Sequence, residues 1–167
     1  MSLNTEYQSG TLLSIYQYFE QNSEPFIKGL LRDKGGINYS LSDLQDRKDK
    51  VLALMEQLIA DYNYTYRTMP LYLYNKKQFS NNRLRCTVVW RVSRKIYRNK
   101  DNNMINRLFR EDNRHKQLLS MFGPAMLNTL KEYDRCRLVL NTMFSVLNFQ
   151  HKSVGLFYDA CGCADES

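Results

Sequence analysis

The spacing of apolar residues changes from a period near 3.6 to a period of 2 at Leu71 and changes back beyond Val92. This limits the possible folds more than any other feature of the chain. Leu84, Cys86, Val88, Trp90 and Val92 alternate with Arg83, Arg85, Thr87, Val89, Arg91 and Ser93, the pattern of a strand with one apolar face and one polar face. Leu71-Tyr72-Leu73-Tyr74 supplies a partner strand, and Ser80-Asn81-Asn82 supplies turn-forming residues between the two. A two-stranded hairpin alone is marginal in water, so its apolar face must rest on helices. The sequence therefore predicts a mainly α (α+β) fold: a helical bundle of two long and several shorter helices with one inserted antiparallel β-hairpin at about residues 71–93. A single domain over residues 1–160 and a flexible tail at 161–167 complete the expectation.

The flanking segments carry the helical signals. Leu12, Leu13, Tyr16 and Phe19 give a short amphipathic helix from near Ser9 to before Asn22. Ser23 and Pro25 then read as the cap and first turn of a second short helix, stopped by Lys34-Gly35-Gly36. Ser40 with Asp43 marks the start of a long helix whose inner face is Leu44, Val51, Leu52, Met55, Leu58, Ile59, Tyr62 and Tyr66. Thr68-Met69-Pro70 closes it. Residues 102–122 read as helix with breaks, burying Met104, Leu108, Phe109, Leu118, Leu119 and Phe122. A last long helix runs from about Pro124 to Lys152 through Met126, Leu127, Leu130, Tyr133, Leu138, Leu140, Phe144 and Leu147.

Charge is distributed as unevenly as periodicity. Between Arg67 and Lys100 lie ten cations, Arg67, Lys76, Lys77, Arg83, Arg85, Arg91, Arg94, Lys95, Arg98 and Lys100, and no Asp or Glu. That block carries +10 of a chain total of +7, so the other residues sum to about −3. A local field of this sign favours an anionic partner. Strand parity permits Tyr72 and Tyr74 to face the same side as the arginines without fixing the register; if they do, the hairpin predicts a nucleic-acid interface, in which phosphates meet Lys and Arg while bases stack on tyrosine. Single-stranded DNA fits that arrangement, and duplex DNA fits a two-stranded ribbon in the major groove. The rival expectation is an adaptor that docks on an acidic protein without touching nucleic acid.

No pattern predicts catalysis, a cofactor or a metal. GxSxG, HExxH, EF-hand and phosphate-loop motifs are missing from the sequence. Cys86 and Cys136 read as small core residues. Cys161 and Cys163, with His115 or His151, offer thiolate and imidazole, but their spacing matches no zinc framework. Asp134 and His151 stand about 25 Å apart along one helix and do not act on one another. The polar residues of that helix predict a structural network with neighbouring helices. Apolar runs fall short of the roughly 20 residues a membrane helix needs, so the expectation is a soluble, cytoplasmic protein with no membrane partner.

Three stretches in order along the chain carry a further signal. They are Pro25-Phe26-Ile27-Lys28-Gly29-Leu30-Leu31, then Met69-Pro70-Leu71 leading to Arg85 and Val89-Trp90-Arg91, then Asp134-Arg135-Cys136-Arg137-Leu138-Val139-Leu140-Asn141 with Ser145 and Leu147. Together they resemble an uncharacterised bacterial family encoded on integrating conjugative elements. That family has no assigned activity, so the resemblance carries over no catalytic residue. It implies a place among DNA-handling proteins, in maintenance, replication or transfer of a mobile element, with proteins of the same element as partners.

Overall fold

The computed structural model describes residues 10–21, 34–80, 83–93, 104–109 and 113–160. Its elements are α1 (Gly10–Gln21), α2 (Lys34–Thr65), β1 (Leu71–Ser80), β2 (Arg83–Val92), β3 (Met104–Ile105), α3 (Asn113–Leu119) and α4 (Pro124–Ala160). The two long helices pack on each other, α1 lies against both, and the hairpin packs its apolar face on them.

Each helix forms where its buried residues recur at helical spacing. On α2 the fully buried positions are Leu44, Val51, Met55, Leu58 and Tyr62, a stripe of sevens, fours and threes. On α4 they are Leu130, Tyr133, Cys136, Leu140, Phe144 and Val154, a wider arc because this helix touches α1, α2 and β2. Leu71, Leu73, Cys86, Val88, Trp90 and Val92 close the core from the sheet. Trp90 is fully buried, with its ring edge-on to Tyr62 at 4.9 Å between centroids, and Tyr62 meets Tyr133 the same way at 5.0 Å. Cys86 and Cys136 are buried free thiols, as expected from sequence.

The hairpin and the two long helices follow the sequence pattern, and four details depart from it. First, α2 begins at Lys34 and runs through Gly35-Gly36, so the glycines do not stop a helix and Ser40 is a buried residue inside one. Each glycine costs about 1 kcal/mol against alanine, a deficit that packing along a 32-residue helix can offset. The short helix expected from Ser23 lies outside the described residues. Second, the sheet has three strands in the order β1-β2-β3. Met104–Ile105 pairs with Trp90 and Arg91 where a helix was expected, because the open backbone of β2 offers these two residues hydrogen bonds. Met104 consequently faces solvent, while Ile105 and Leu108 are buried. Third, Leu13 and Leu138 point outward, and Ile15 takes the inner position on α1. Fourth, α4 continues to Ala160. Among the described residues no helix is long and apolar enough to cross a membrane.

Candidate nucleic-acid interface

Register decides which hairpin residues share a face. Tyr72 pairs with Arg91, Tyr74 with Val89, Lys76 with Thr87, Gln78 with Arg85 and Ser80 with Arg83. Cross-strand partners project to the same side, so Tyr72, Tyr74, Lys76, Gln78, Arg85, Thr87, Val89 and Arg91 form the outer face, opposite the core. The tyrosines therefore stand on the side of the arginines. No Asp or Glu occurs in either strand.

The outer face is ordered by ring and guanidinium contacts. Arg91 lies diagonally across from Tyr74 with its guanidinium carbon 4.6 Å from the ring centroid, a cation–π contact. The Arg91 Nε is buried and has no acceptor among the described residues. Arg85 and Tyr74 are exposed, while Tyr72, Lys76 and Arg91 are half-buried. Val89 sits in this face yet is almost fully buried, apart from the core cluster, so the surface is a packed strip and not a loose row of side chains.

The remaining expected residues fall elsewhere. Arg67 is exposed in the turn after α2. Lys77 pairs with Cys86 and so projects from the inner side, where its Nζ meets Glu56 Oε1 of α2 at 3.2 Å. Strand alternation, which sends neighbours Lys76 and Lys77 to opposite faces, separates it from the other cations. Arg83 is placed by its backbone pairing with Ser80. Arg94, Lys95, Arg98 and Lys100 lie outside the described residues, as do Cys161 and Cys163. Among the described residues no three His, Cys, Asp or Glu side chains gather as metal donors.

What holds this face in position is a set of polar side chains from the long helices. On the free edge of β1, Asn63 of α2 donates from Nδ2 to the Leu73 carbonyl at 2.9 Å and accepts from the Leu73 N–H at 2.9 Å. On the free edge of β2, Asn141 of α4 accepts from the Val88 N–H at 2.8 Å and donates to the Val88 carbonyl at 2.9 Å. Asn148, two turns further along α4, donates to the Leu84 carbonyl at 3.3 Å. Each carboxamide replaces the backbone of a missing neighbouring strand, which satisfies buried groups and blunts the edge.

Beside Asn141 lies a buried ionic knot. Arg137, only 1% exposed, forms a salt bridge with Asp134 at 2.8 Å and donates to the carbonyls of Val88 and Asn106. Asp134 also accepts from the Trp90 indole N–H at 2.7 Å. The expected polar network of this helix thus exists: Tyr133 donates its hydroxyl to Asp61 of α2, while Asp134, Arg137, Asn141 and Asn148 tie α4 to the sheet and to the segment after β3. The sequence signal was the run of polar residues Asp134, Arg137, Asn141 and Asn148 within an apolar helix. Its partners outside the helix are backbone groups and the Trp90 indole, 31 to 64 residues away, which no local pattern reveals.

No family model matches the chain, and no curated protein or solved structure matches it either. The roles of these residues rest on their geometry.

The buried titratable groups belong to the scaffold. Burial, reinforced by neighbouring Tyr66, raises the Tyr62 phenol far above its ordinary value. Burial also raises the Cys86 thiol, against the opposing effect of its hydrogen bond with Asn75.

Proposed function

We propose that the protein binds nucleic acid through the outer face of the hairpin, and that it acts by binding and not by chemistry. The observation that carries this reading is the register: it collects Tyr72, Tyr74, Lys76, Arg85 and Arg91 on one acid-free face directed away from the core. Phosphate oxygens would meet the guanidinium and ammonium groups. Tyr74, partly exposed and already polarised by Arg91, offers a ring on which an unstacked base can lie. Both the charge and the rings sit on a surface held rigid by Asn63 and Asn141. The resemblance noted in the sequence sets such binding in the maintenance, replication or transfer of a mobile element.

The test is fluorescence anisotropy of labelled single-stranded and duplex oligonucleotides against native protein and an Arg83→Glu, Arg85→Glu, Arg91→Glu variant. Native binding should weaken with salt at a log–log slope of about −0.7 per phosphate contacted on a single strand, or about −0.9 on a duplex. The variant, shown folded by circular dichroism, should bind neither form. Absence of native binding to both forms at roughly 50 mM salt, where counterion release favours association most, overturns the reading.

A further inference from the structure

We propose that the cleft between the free edge of β2 and α4 receives one unstacked nucleobase of a bound single strand, paired through its hydrogen-bonding edge with the backbone N–H and carbonyl of Cys86. This rests on the nucleic-acid binding proposed above and adds to it a place where a base is read.

Backbone direction creates the opening. Val88 turns its N–H and carbonyl away from β1, toward Asn141, and the Leu84 carbonyl turns the same way, toward Asn148. The pairing of β1 with β2 runs without a bulge from Leu71 and Val92 to Ser80 and Arg83. Cys86, two residues from Leu84 and two from Val88, therefore directs its own N–H and carbonyl to the same edge. β3 covers that edge only at Trp90 and Arg91. Between Asn141 and Asn148 the α4 residue facing the cleft is Ser145, whose short side chain does not continue the series of carboxamides. A cleft of 330 Å³ remains there, lined by Cys86, Asn141, Ser145 and Asn148 among others. Among the described residues the Cys86 N–H and carbonyl have no partner, although Cys86 is only 5% exposed.

The chemistry of the occupant follows from what this opening offers, a single donor beside a single acceptor. A peptide strand, which needs a run of edge groups, is blocked by Asn141 on one side and Asn148 on the other. What fits is a flat group with an acceptor next to a donor, as the Asn141 carboxamide has at Val88. The Watson–Crick edge of an unpaired base is such a group.

The surroundings suit a nucleotide. No Asp or Glu lines the cleft, and exposed Arg85 and Lys152 supply cations for the adjoining phosphates. Phe149, 70% exposed, adds a ring to the lining. The volume lies at the lower end of the roughly 300 to 1,000 Å³ of small-molecule pockets, which suits one base. Arg85 and Thr87 belong both to the outer face of the hairpin and to this lining, so a strand crossing that face reaches the cleft without leaving the cationic surface.

The test compares two labelled oligothymidylates of about 12 nucleotides, one natural and one with every base methylated at N3. Methylation removes the N3–H that would donate to the Cys86 carbonyl and leaves the phosphates unchanged. In anisotropy titrations at roughly 50 mM salt, native full-length protein should prefer the natural strand by roughly 5- to 100-fold, the range for a good bidentate contact. Ser145→Gln, which places a carboxamide in the cleft, and Ser145→Trp, which fills it, should each lower affinity for the natural strand to that for the methylated one. Ser145→Ala, which leaves the cleft open, should keep the preference. Ser145 is exposed, so melting temperatures should stay near the native value or rise. Equal native affinity for the two strands overturns this inference while leaving binding by the hairpin face in place, and so does a preference that survives in both Ser145→Gln and Ser145→Trp. Absence of native binding to either strand overturns the inference together with the reading on which it rests.

Discussion

Asn63 on α2 and Asn141 on α4 hold opposite edges of one hairpin, each through two hydrogen bonds to a single strand residue, Leu73 and Val88. A strand edge needs hydrogen-bond partners over its length, and here two helices provide them one carboxamide at a time. The arrangement fixes the sheet laterally as well as by its apolar face. It also explains how a ribbon of only two long strands can present a defined outer surface.

Asn141→Ala should destabilise the fold by about 1 to 3 kcal/mol, because the N–H of buried Val88 loses its acceptor while the carbonyl keeps Arg137. Asn63→Ala should cost a similar amount at Leu73. Urea denaturation of the two single variants and the double variant measures this, and near-additive losses are expected since the two sites lie on opposite edges.

Arg137→Ala should be far more damaging, by roughly 3 to 5 kcal/mol, since it strands the Asp134 carboxylate in a site where both side chains are under a tenth exposed. Arg137→Lys should not rescue it, because an ammonium cannot reach Asp134, Val88 and Asn106 at once. An Asp134→Leu, Arg137→Met double variant should recover much of the loss. The check is chemical denaturation of all three.

Tyr62 gives the fold an alkaline limit. Its phenol is neutral in the native state, with a pKa raised by burial above the ordinary value of about 10. Its contribution is therefore complete below about pH 10 and is lost as pH rises above that point, where the unfolded chain ionises and the native one resists. The hydroxyl also has no hydrogen-bond partner among the described residues, so Tyr62→Phe should be neutral or stabilising at pH 7 and should flatten the decline. Denaturation midpoints between about pH 8 and 11 test both parts.

Lys77 separates the proposed interface from charge in general. It lies on the opposite side from Arg85 and pairs with Glu56 in an exposed contact worth at most about 1 kcal/mol. Lys77→Glu should therefore weaken oligonucleotide binding much less than Arg85→Glu, although both change net charge equally. Equal losses in anisotropy titrations would mean that overall charge, and not this face, governs binding.

Cys86 should resist alkylation at neutral pH in the native protein, since burial disfavours its thiolate. Mass spectrometry after iodoacetamide treatment should find the Cys86 and Cys136 peptides unmodified until denaturant is added.

The sequence by itself determined the helices and the hairpin, because periodicity is local: the stripe from Leu44 to Tyr62 and the alternation from Leu84 to Val92 each need only one repeating geometry to bury their apolar residues. It likewise determined that the cations cluster and that Trp90 belongs to the apolar face of its strand. Tertiary structure decided everything that depends on pairing across the chain. Strand register put Tyr72 and Tyr74 beside Arg91 and sent Lys77 to the other side, and an open stretch of β2 drew Met104–Ile105 out of its helical pattern. Buried backbone groups on the sheet edges recruited Asn63, Asn141 and Arg137, since a polar group taken from water must find a partner wherever the fold places one. Those requirements arise only after the helices and the sheet have met, so the sequence contains the residues that satisfy them without indicating which groups they satisfy.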